Sequence, residues 1–259
     1  MRYLAIIFIC FALNACGNQQ EKTQVQEPPE EVKKVVDPAL VFSIESIDKH
    51  SKSCATDSNS CATVDITVPL AKGTEAADPI NARVTGALVS ALNVGETRAT
   101  GLNEGVDGFV NGYDAFLAEM KAEGQDYINS WAFEAEGQVL YQDSQYVCIE
   151  MQFYTYTGGA HPNSFTSLLT FNSKTGEEVN VLATVADTVA LKVKVQEAFR
   201  LARKLPKDAV LQEEGFFWGG KFAFPANIGI TAEGLYFVYN PYEVAPYALG
   251  STGFVVTEP

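Results

Sequence analysis

The sequence is poor in the residue types on which most enzyme active sites depend. Its 259 residues include two histidines, His50 and His161, and five cysteines. It contains no His-Glu-x-x-His, Gly-x-Ser-x-Gly or phosphate-loop pattern and no clustered histidines and cysteines. A carboxylate pair for glycoside hydrolysis would need two acids roughly 5 to 10 Å apart, which a sequence does not place. We therefore predict a protein that is not an enzyme, with no catalytic residues, no metal and no cofactor.

Basic residues are also scarce. The chain has 18 Lys and Arg against 32 Asp and Glu, which gives a formal net charge of −14 at pH 7. Nucleic acids require a basic footprint on the protein that binds them, so this charge argues against a nucleic-acid partner. A cationic partner is compatible with it, although acidity more commonly serves solubility.

One apolar run at the N-terminus is too short to cross a membrane. It follows Arg2 and covers residues 3–13, whereas a bilayer core requires about 20 residues. Residues 1–15 are typical of a secretory signal, and the segment LNACG at residues 13–17 resembles a lipobox. We expect cleavage before Cys16, diacylation of that residue, and attachment to a bacterial membrane in the cell envelope, facing the periplasm or the surface. The alternative is an ordinary signal peptide that contains a cysteine.

Residues 16–38 are predicted to form a disordered tether between the lipid and the folded body. The segment is rich in Gln, Glu, Lys and Pro and nearly free of aromatic residues. Such a composition buries too little apolar surface to offset the entropy cost of ordering.

The remaining cysteines fit an exported protein. Cys54 and Cys61 flank a polar run between two apolar segments. This spacing predicts a disulfide that closes a hairpin loop, worth about 2 kcal/mol. A zinc site is the alternative, but no second Cys-His pair accompanies these two residues. Cys148 lies in a strand-like run and is expected to be a buried apolar residue.

The hydrophobic periodicity predicts an α+β fold with antiparallel sheets, three main helices and two packed subdomains. The first helix is predicted over residues 79–92, with Asp78 as its N-cap. We assign residues 39–128 to an N-terminal α+β domain and residues 129–259 to a C-terminal one. The other predicted helices cover residues 106–123 and about 191–202, and the predicted strands cover residues 40–47, 62–70, 131–136, 139–143, 146–156, 164–172, 222–231, 235–240 and 254–257.

Two loops near the predicted strand ends are rich in glycine, proline and tyrosine. The first is YTYTGGAHPN at residues 154–163, and the second lies in GLYFVYNPYEVAPYALG at residues 234–250. With the segment LLTFNSKTGEEV between them, they resemble the RsiV-like C-terminal domain. This domain occurs in lysozyme-sensing anti-sigma factors, in a polysaccharide deacetylase and in many bacterial lipoproteins. Residues 40–128 resemble the PdaC/RsiV-type N-terminal domain that usually precedes it. The resemblance implies an α+β fold without known catalytic residues, and lysozyme binding in the sensing relatives.

Eight residues of the two loops are candidates for ligand binding. Gly-Gly permits positive φ, and a proline after His161 keeps that residue extended, so the first loop is a stiff turn. Tyrosines of the second loop combine an apolar face with a polar tip and suit a sugar ring or a protein surface. The alternative is that these side chains serve packing and backbone hydrogen bonds. The candidates are Tyr156, Gly158, Gly159, His161, Asn163, Tyr242, Glu243 and Tyr247.

Two further clusters have both a functional and a structural interpretation. Phe216, Phe217 and Trp218 would suit either a sugar-binding platform or a hydrophobic plug beneath a loop. Six cations, Lys192, Lys194, Arg200, Arg203, Lys204 and Lys207, surround one predicted helix. Such a run is usually a solvated face, and the alternatives are that it binds an anionic glycan or the acidic surface of another copy of the protein.

Three functions follow from these observations. The favoured one is a lipid-anchored envelope binding module for a glycan, a peptidoglycan fragment or a lysozyme-like protein. The second is an envelope carbohydrate-active hydrolase. The third is a structural or assembly lipoprotein with protein partners.

Overall fold

A five-stranded sheet, whose strands lie side by side in chain order, forms the larger part of the fold. The computed structural model describes residues 39–57, 59–93, 98–125 and 128–257. The predicted signal peptide, Cys16 and the predicted tether therefore lie outside the described residues. β2 and β3 are parallel, and the other neighbouring pairs are antiparallel. The strands are β1 Val41–His50, β2 Ala62–Lys72, β3 Trp131–Gln142, β4 Tyr146–Tyr156 and β5 Asn163–Asn172.

Two helices cross from β2 to β3 and make their parallel pairing possible. They are α1, Ala77–Leu92, and α2, Leu102–Ala122. Each has one apolar face, and both faces pack into the same core as the sheet. In α1 the buried residues recur at every fourth position, as predicted: Ile80, Val84, Leu88 and Leu92.

The predicted N-cap of α1 is wrong. The helix begins one residue earlier than Asp78, its N-cap position is Ala76, and no side chain caps it. Asp78 instead lies in the first turn, where a negative charge still interacts favourably with the helix dipole.

The strand β3 is longer than the sequence predicts. Residues 131–136 and 139–143 are predicted as two strands, but one strand, Trp131–Gln142, covers nearly all of both segments, with an irregularity in register between Val139 and Tyr141. Gly137 lies between the two predicted segments and permits close packing. A Cβ at this position would lie 2.8 Å from both the Met151 sulfur and the Pro69 ring.

A smaller lobe completes the fold. Helix α3, Thr188–Ala202, is capped by Asp187, whose carboxylate accepts hydrogen bonds from two backbone N–H groups of the first turn. An antiparallel three-stranded sheet follows: β6 Asn227–Thr231, β7 Gly234–Tyr239 and β8 Thr252–Val256. Two apolar clusters hold this sheet and α3 together.

Over the part of the chain that the structure describes, three α-helices and two mainly antiparallel sheets confirm the predicted α+β class. The domain boundary predicted between residues 128 and 129 lies between α2 and β3, within the larger part of the fold that contains the five-stranded sheet. Residues on both sides of it, such as Ile66, Phe133 and Phe171, share one core. The change of core comes after β5.

The three cysteines within the described residues lie as the sequence predicts. Cys54 and Cys61 form a disulfide between β1 and β2, with their Cα atoms 4.6 Å apart. Cys148 is free and buried, and burial raises the pKa of its thiol. Within the described ranges, no helix is both long enough and apolar enough to span a bilayer.

Candidate functional site

The loop between β4 and β5 is a sharp turn that exposes His161. Gly158 and Gly159 have φ values of +92° and +98°, a region in which a side chain is strained. The Tyr156 hydroxyl donates a hydrogen bond of 3.1 Å to the Gly159 carbonyl oxygen and so braces the turn. The Nδ1 atom of His161 lies 3.0 Å from the carbonyl oxygen of Pro162. Tyr156 therefore supports the loop, and the imidazole is left at its surface.

The loop after β7 carries the other candidate rings. Tyr242 has a φ of +67°, which residues with a side chain rarely adopt. Its backbone N–H donates to the carbonyl oxygen of Ala245 at 3.1 Å, which closes the turn. A short 3₁₀ turn, Tyr247–Leu249, then leads to Gly250.

The fold brings the two loops together. The rings of His161 and Tyr247 are stacked, with centroids 4.0 Å apart and planes at 14°. The Tyr242 hydroxyl lies 3.4 Å from Nε2 of His161, and the two tyrosine ring centroids are 5.7 Å apart. We call His161, Tyr242 and Tyr247 the ring cluster. Tyr242 is 55% exposed, so this cluster is a surface feature and not part of a core.

Side-chain hydrogen bonds fix the second loop to the sheet. The Asn240 amide donates to and accepts from the backbone of Thr166 in β5, at 2.8 Å in each direction. The Glu243 carboxylate accepts from the backbone N–H groups of Ala226 and Asn240, at 2.7 and 2.9 Å. The carboxylate of Glu243, a candidate for binding, thus accepts hydrogen bonds from the protein's own backbone.

Arg203 is a residue of the site that sequence reasoning missed. Its guanidinium donates to Thr252 Oγ1 at 2.6 Å and to the carbonyl oxygens of Leu249, Gly250 and Ser251 at 2.7 to 3.2 Å. Burial lowers the pKa of this guanidinium, which nevertheless stays protonated. Arg203 fixes the end of the loop that carries Tyr247, so its interpretation as part of a solvated basic face is wrong. Only its position directly after the predicted helix end hints that this cation has a capping role.

The aromatic run after α3 is divided between core and surface. Phe216 and Phe217 are buried in the smaller lobe, whereas Trp218 is 54% exposed. Phe216 also lies beneath Arg203, whose guanidinium carbon is 5.0 Å from the ring centroid. The structure thus supports the plug interpretation for the two phenylalanines.

A groove adjoins the ring cluster. It has a volume of about 480 Å³ and lies between α1 and the adjacent ends of β4 and β5. His161, Gly158 and Asn163 form its rim on the loop side. Five of the eight candidate residues therefore contribute to the ring cluster, the groove or both: Gly158, His161, Asn163, Tyr242 and Tyr247.

The site offers little for acid–base chemistry or metal binding. The polar contacts of His161 are the Pro162 carbonyl and the Tyr242 hydroxyl, so no carboxylate within the described residues hydrogen-bonds its imidazole. Among those residues, the grouping of His50, Cys54 and Cys61 has metal-ligand proximity. Both of its sulfurs are in the disulfide, which removes them as thiolate ligands.

The two loops lie in different family matches. Residues 55–164 match the family model described as Deacetylase PdaC, and residues 184–257 match the one described as a protein of unknown function, DUF3298. This chain carries a PdaC domain followed by a DUF3298 domain. The predicted order of the two families is confirmed, but the first loop, which is predicted to lie in the C-terminal domain, falls in the PdaC match. The ring cluster therefore joins His161 of the PdaC match to two tyrosines of the DUF3298 match.

Solved structures of the DUF3298 family have the same fold. A member from Bacteroides fragilis NCTC 9343 superposes with a TM-score of 0.68 at 19% sequence identity, covering 85% of this chain and 91% of that one. A member from Pseudomonas aeruginosa PAO1 gives 0.60 at 18%, covering 86% and 93%. No curated protein matches the chain.

Proposed function

We propose that this PdaC–DUF3298 protein is a lipid-anchored component of the cell envelope and that its folded body is a non-catalytic binding module. The ligand classes are a glycan, a peptidoglycan fragment or a lysozyme-like protein, and the ring cluster is the contact surface. Both matched domains favour an envelope protein, and the lipobox at Cys16 favours the anchor.

The observation that carries the proposal is a surface cluster of rings, in which the exposed Tyr242 and the partly buried Tyr247 lie on a loop fixed by hydrogen bonds. The side chains of Asn240, Glu243 and Arg203 hold this loop through eight hydrogen bonds at most 3.2 Å long. Aromatic side chains that are already ordered lose little conformational entropy when a partner covers them. Exposed tyrosines of this kind are enriched among the residues that dominate binding energy.

The charge of the chain supports one of these ligand classes. A net charge of −14 attracts a cationic protein such as a lysozyme and speeds its encounter with the binding surface. This effect acts over the whole molecule, whereas the ring cluster supplies the local contact.

An envelope carbohydrate-modifying enzyme is the alternative, because the description of the N-terminal match names a deacetylase. His161 would then be its base. The imidazole is exposed and stacks on Tyr247, whereas a general base requires a proton donor in reach and a tuned environment. Acetate release from N-acetylated peptidoglycan that is abolished by His161→Ala would establish the alternative.

Calorimetry on the full chain in detergent tests the proposal. Lysozyme and soluble peptidoglycan fragments are titrated separately, and at least one should give saturable heat. Tyr247→Ala should weaken that binding at least ~10-fold, equivalent to about 1.4 kcal/mol. Trp218→Ala is the control, because it also removes a large ring from the surface, 54% exposed, but outside the ring cluster. Heat from neither ligand, or an equal loss in both variants, would contradict the proposal.

A further inference from the structure

We infer that the groove beside the ring cluster binds a neutral oligosaccharide. The inference rests on the proposed binding function and selects the ligand class for its site. In this account a sugar chain lies in the groove and leaves it past His161, against the ring cluster.

The charge of the lining is the first argument. None of the residues around the groove is Asp or Glu, although the chain has 32 of them. Its one permanent cation, Arg83, is paired with Glu178, with Nε and Oε2 2.8 Å apart. A surface without net charge gives no electrostatic preference to a charged ligand, and desolvation disfavours burying a charge there.

The apolar surfaces of the groove are the second argument. Phe153 and Phe165 are stacked across β4 and β5, with centroids 4.7 Å apart and planes at 18°, and Phe165 is partly exposed. The helix wall opposite consists of small side chains, Gly86, Ala87, Ser90 and Ala91. The Phe165 ring, backed by the buried Phe153, and the shallow wall opposite leave room for a ring with apolar faces. The volume of about 480 Å³ lies in the usual range of ligand sites, roughly 300 to 1,000 Å³.

Free hydrogen-bonding groups are the third argument. The side chains of Ser90, Thr157, Asn163 and Ser167 line the groove and make no hydrogen bond to other described residues. Hydroxyl and amide groups both donate and accept, and so do sugar hydroxyls and acetamido groups. Protein hydroxyls and amides above an aromatic floor suit a pyranose ring, which has polar edges and apolar faces.

Three tetrasaccharides of different charge test the inference on the full chain by calorimetry. They are the neutral N-acetylglucosamine tetramer, its cationic deacetylated form and the anionic galacturonic acid tetramer. The neutral sugar should bind, and each charged one at least ~10-fold more weakly, a difference of about 1.4 kcal/mol. Preference for either charged sugar would overturn the inference.

Gly86→Phe should fill the groove and weaken binding of the neutral tetramer at least 10-fold. Nothing lies within 4 Å of a Cβ at Gly86, and replacing a helical glycine favours the helix by several tenths of a kcal/mol, roughly. Gly108→Phe is the matched control, since Gly108 is a helical, exposed glycine of α2 with the same free space. Asn163→Ala, which removes one free amide, is a second variant that should weaken binding severalfold.

The outcomes separate this inference from the proposed function. Unchanged sugar binding in Gly86→Phe and Asn163→Ala, with both folded by circular dichroism, would overturn the groove as the site. If no sugar binds while lysozyme still binds through Tyr247, the inference fails and the proposed function stands. If neither ligand binds, both fail.

Discussion

Tyr242 is held in a backbone conformation that its own side chain disfavours. Among the described residues, only Lys204, Phe217 and Tyr242 combine a side chain with positive φ. Phe217 is buried in the smaller lobe, but Tyr242 is 55% exposed. A strained residue whose ring packs so little is more readily explained by its surface role than by stability.

A pair of substitutions separates the backbone effect from the ring effect. Tyr242→Gly and Tyr242→Ala both remove the ring, but only glycine relieves the positive φ. We predict that the glycine variant is the more stable of the two by about 1 kcal/mol, while both lose ligand affinity equally. Urea unfolding of each variant measures the difference. Equal stabilities, or a more stable alanine variant, would mean that the φ of +67° costs nothing.

For single residues, the sequence predicts local properties such as exposure and turn formation better than it predicts hydrogen-bond partners. The exposed rings and the turn glycines follow from composition, because φ requirements and amphipathic rings are local properties. The roles of Glu243 and Arg203 do not, since their partners lie 17 and up to 49 positions away along the chain. A charged side chain on a surface helix is indistinguishable in sequence from one that reaches a distant loop.

Among the elements, periodic segments are predicted well and junctions are not. Apolar residues at every fourth position identify α1 as a helix, and alternating apolar residues identify β2 as a strand. Both patterns are clear because each element buries one face against the same core. β3 is predicted as two strands with a gap at residues 137–138, whereas Gly137 continues the strand and permits close contact with Met151 and Pro69. The boundary between residues 128 and 129 is predicted from a change of hydrophobic pattern, and residues on both sides of it share one core.

The groove could not be predicted from the sequence. Its wall is part of α1 and its floor is part of β4 and β5, more than 60 positions further along the chain. The small side chains of α1 gave only a weak signal, because small residues also occur on helix faces that pack closely.

For the whole molecule, the proposed anchor determines where the ring cluster operates. Cys16→Ser should move the protein from the membrane fraction to the soluble fraction, because a serine cannot carry the thioether-linked lipid. Loss of incorporation of an alkyne-labelled fatty acid into the variant measures this directly. Cys148→Ser is the control, since that buried thiol is not expected to be lipidated. Equal labelling of wild type and the Cys16 variant would contradict the anchor.

The central claim is that two loops, distant in sequence, form one contact surface on the folded body. Hydrogen–deuterium exchange of the full chain, with and without the ligand that gives heat in calorimetry, tests it most directly. We predict that protection is concentrated in residues 156–163 and 240–250 together. Protection of only one of these loops, or protection elsewhere with both unchanged, would contradict the account.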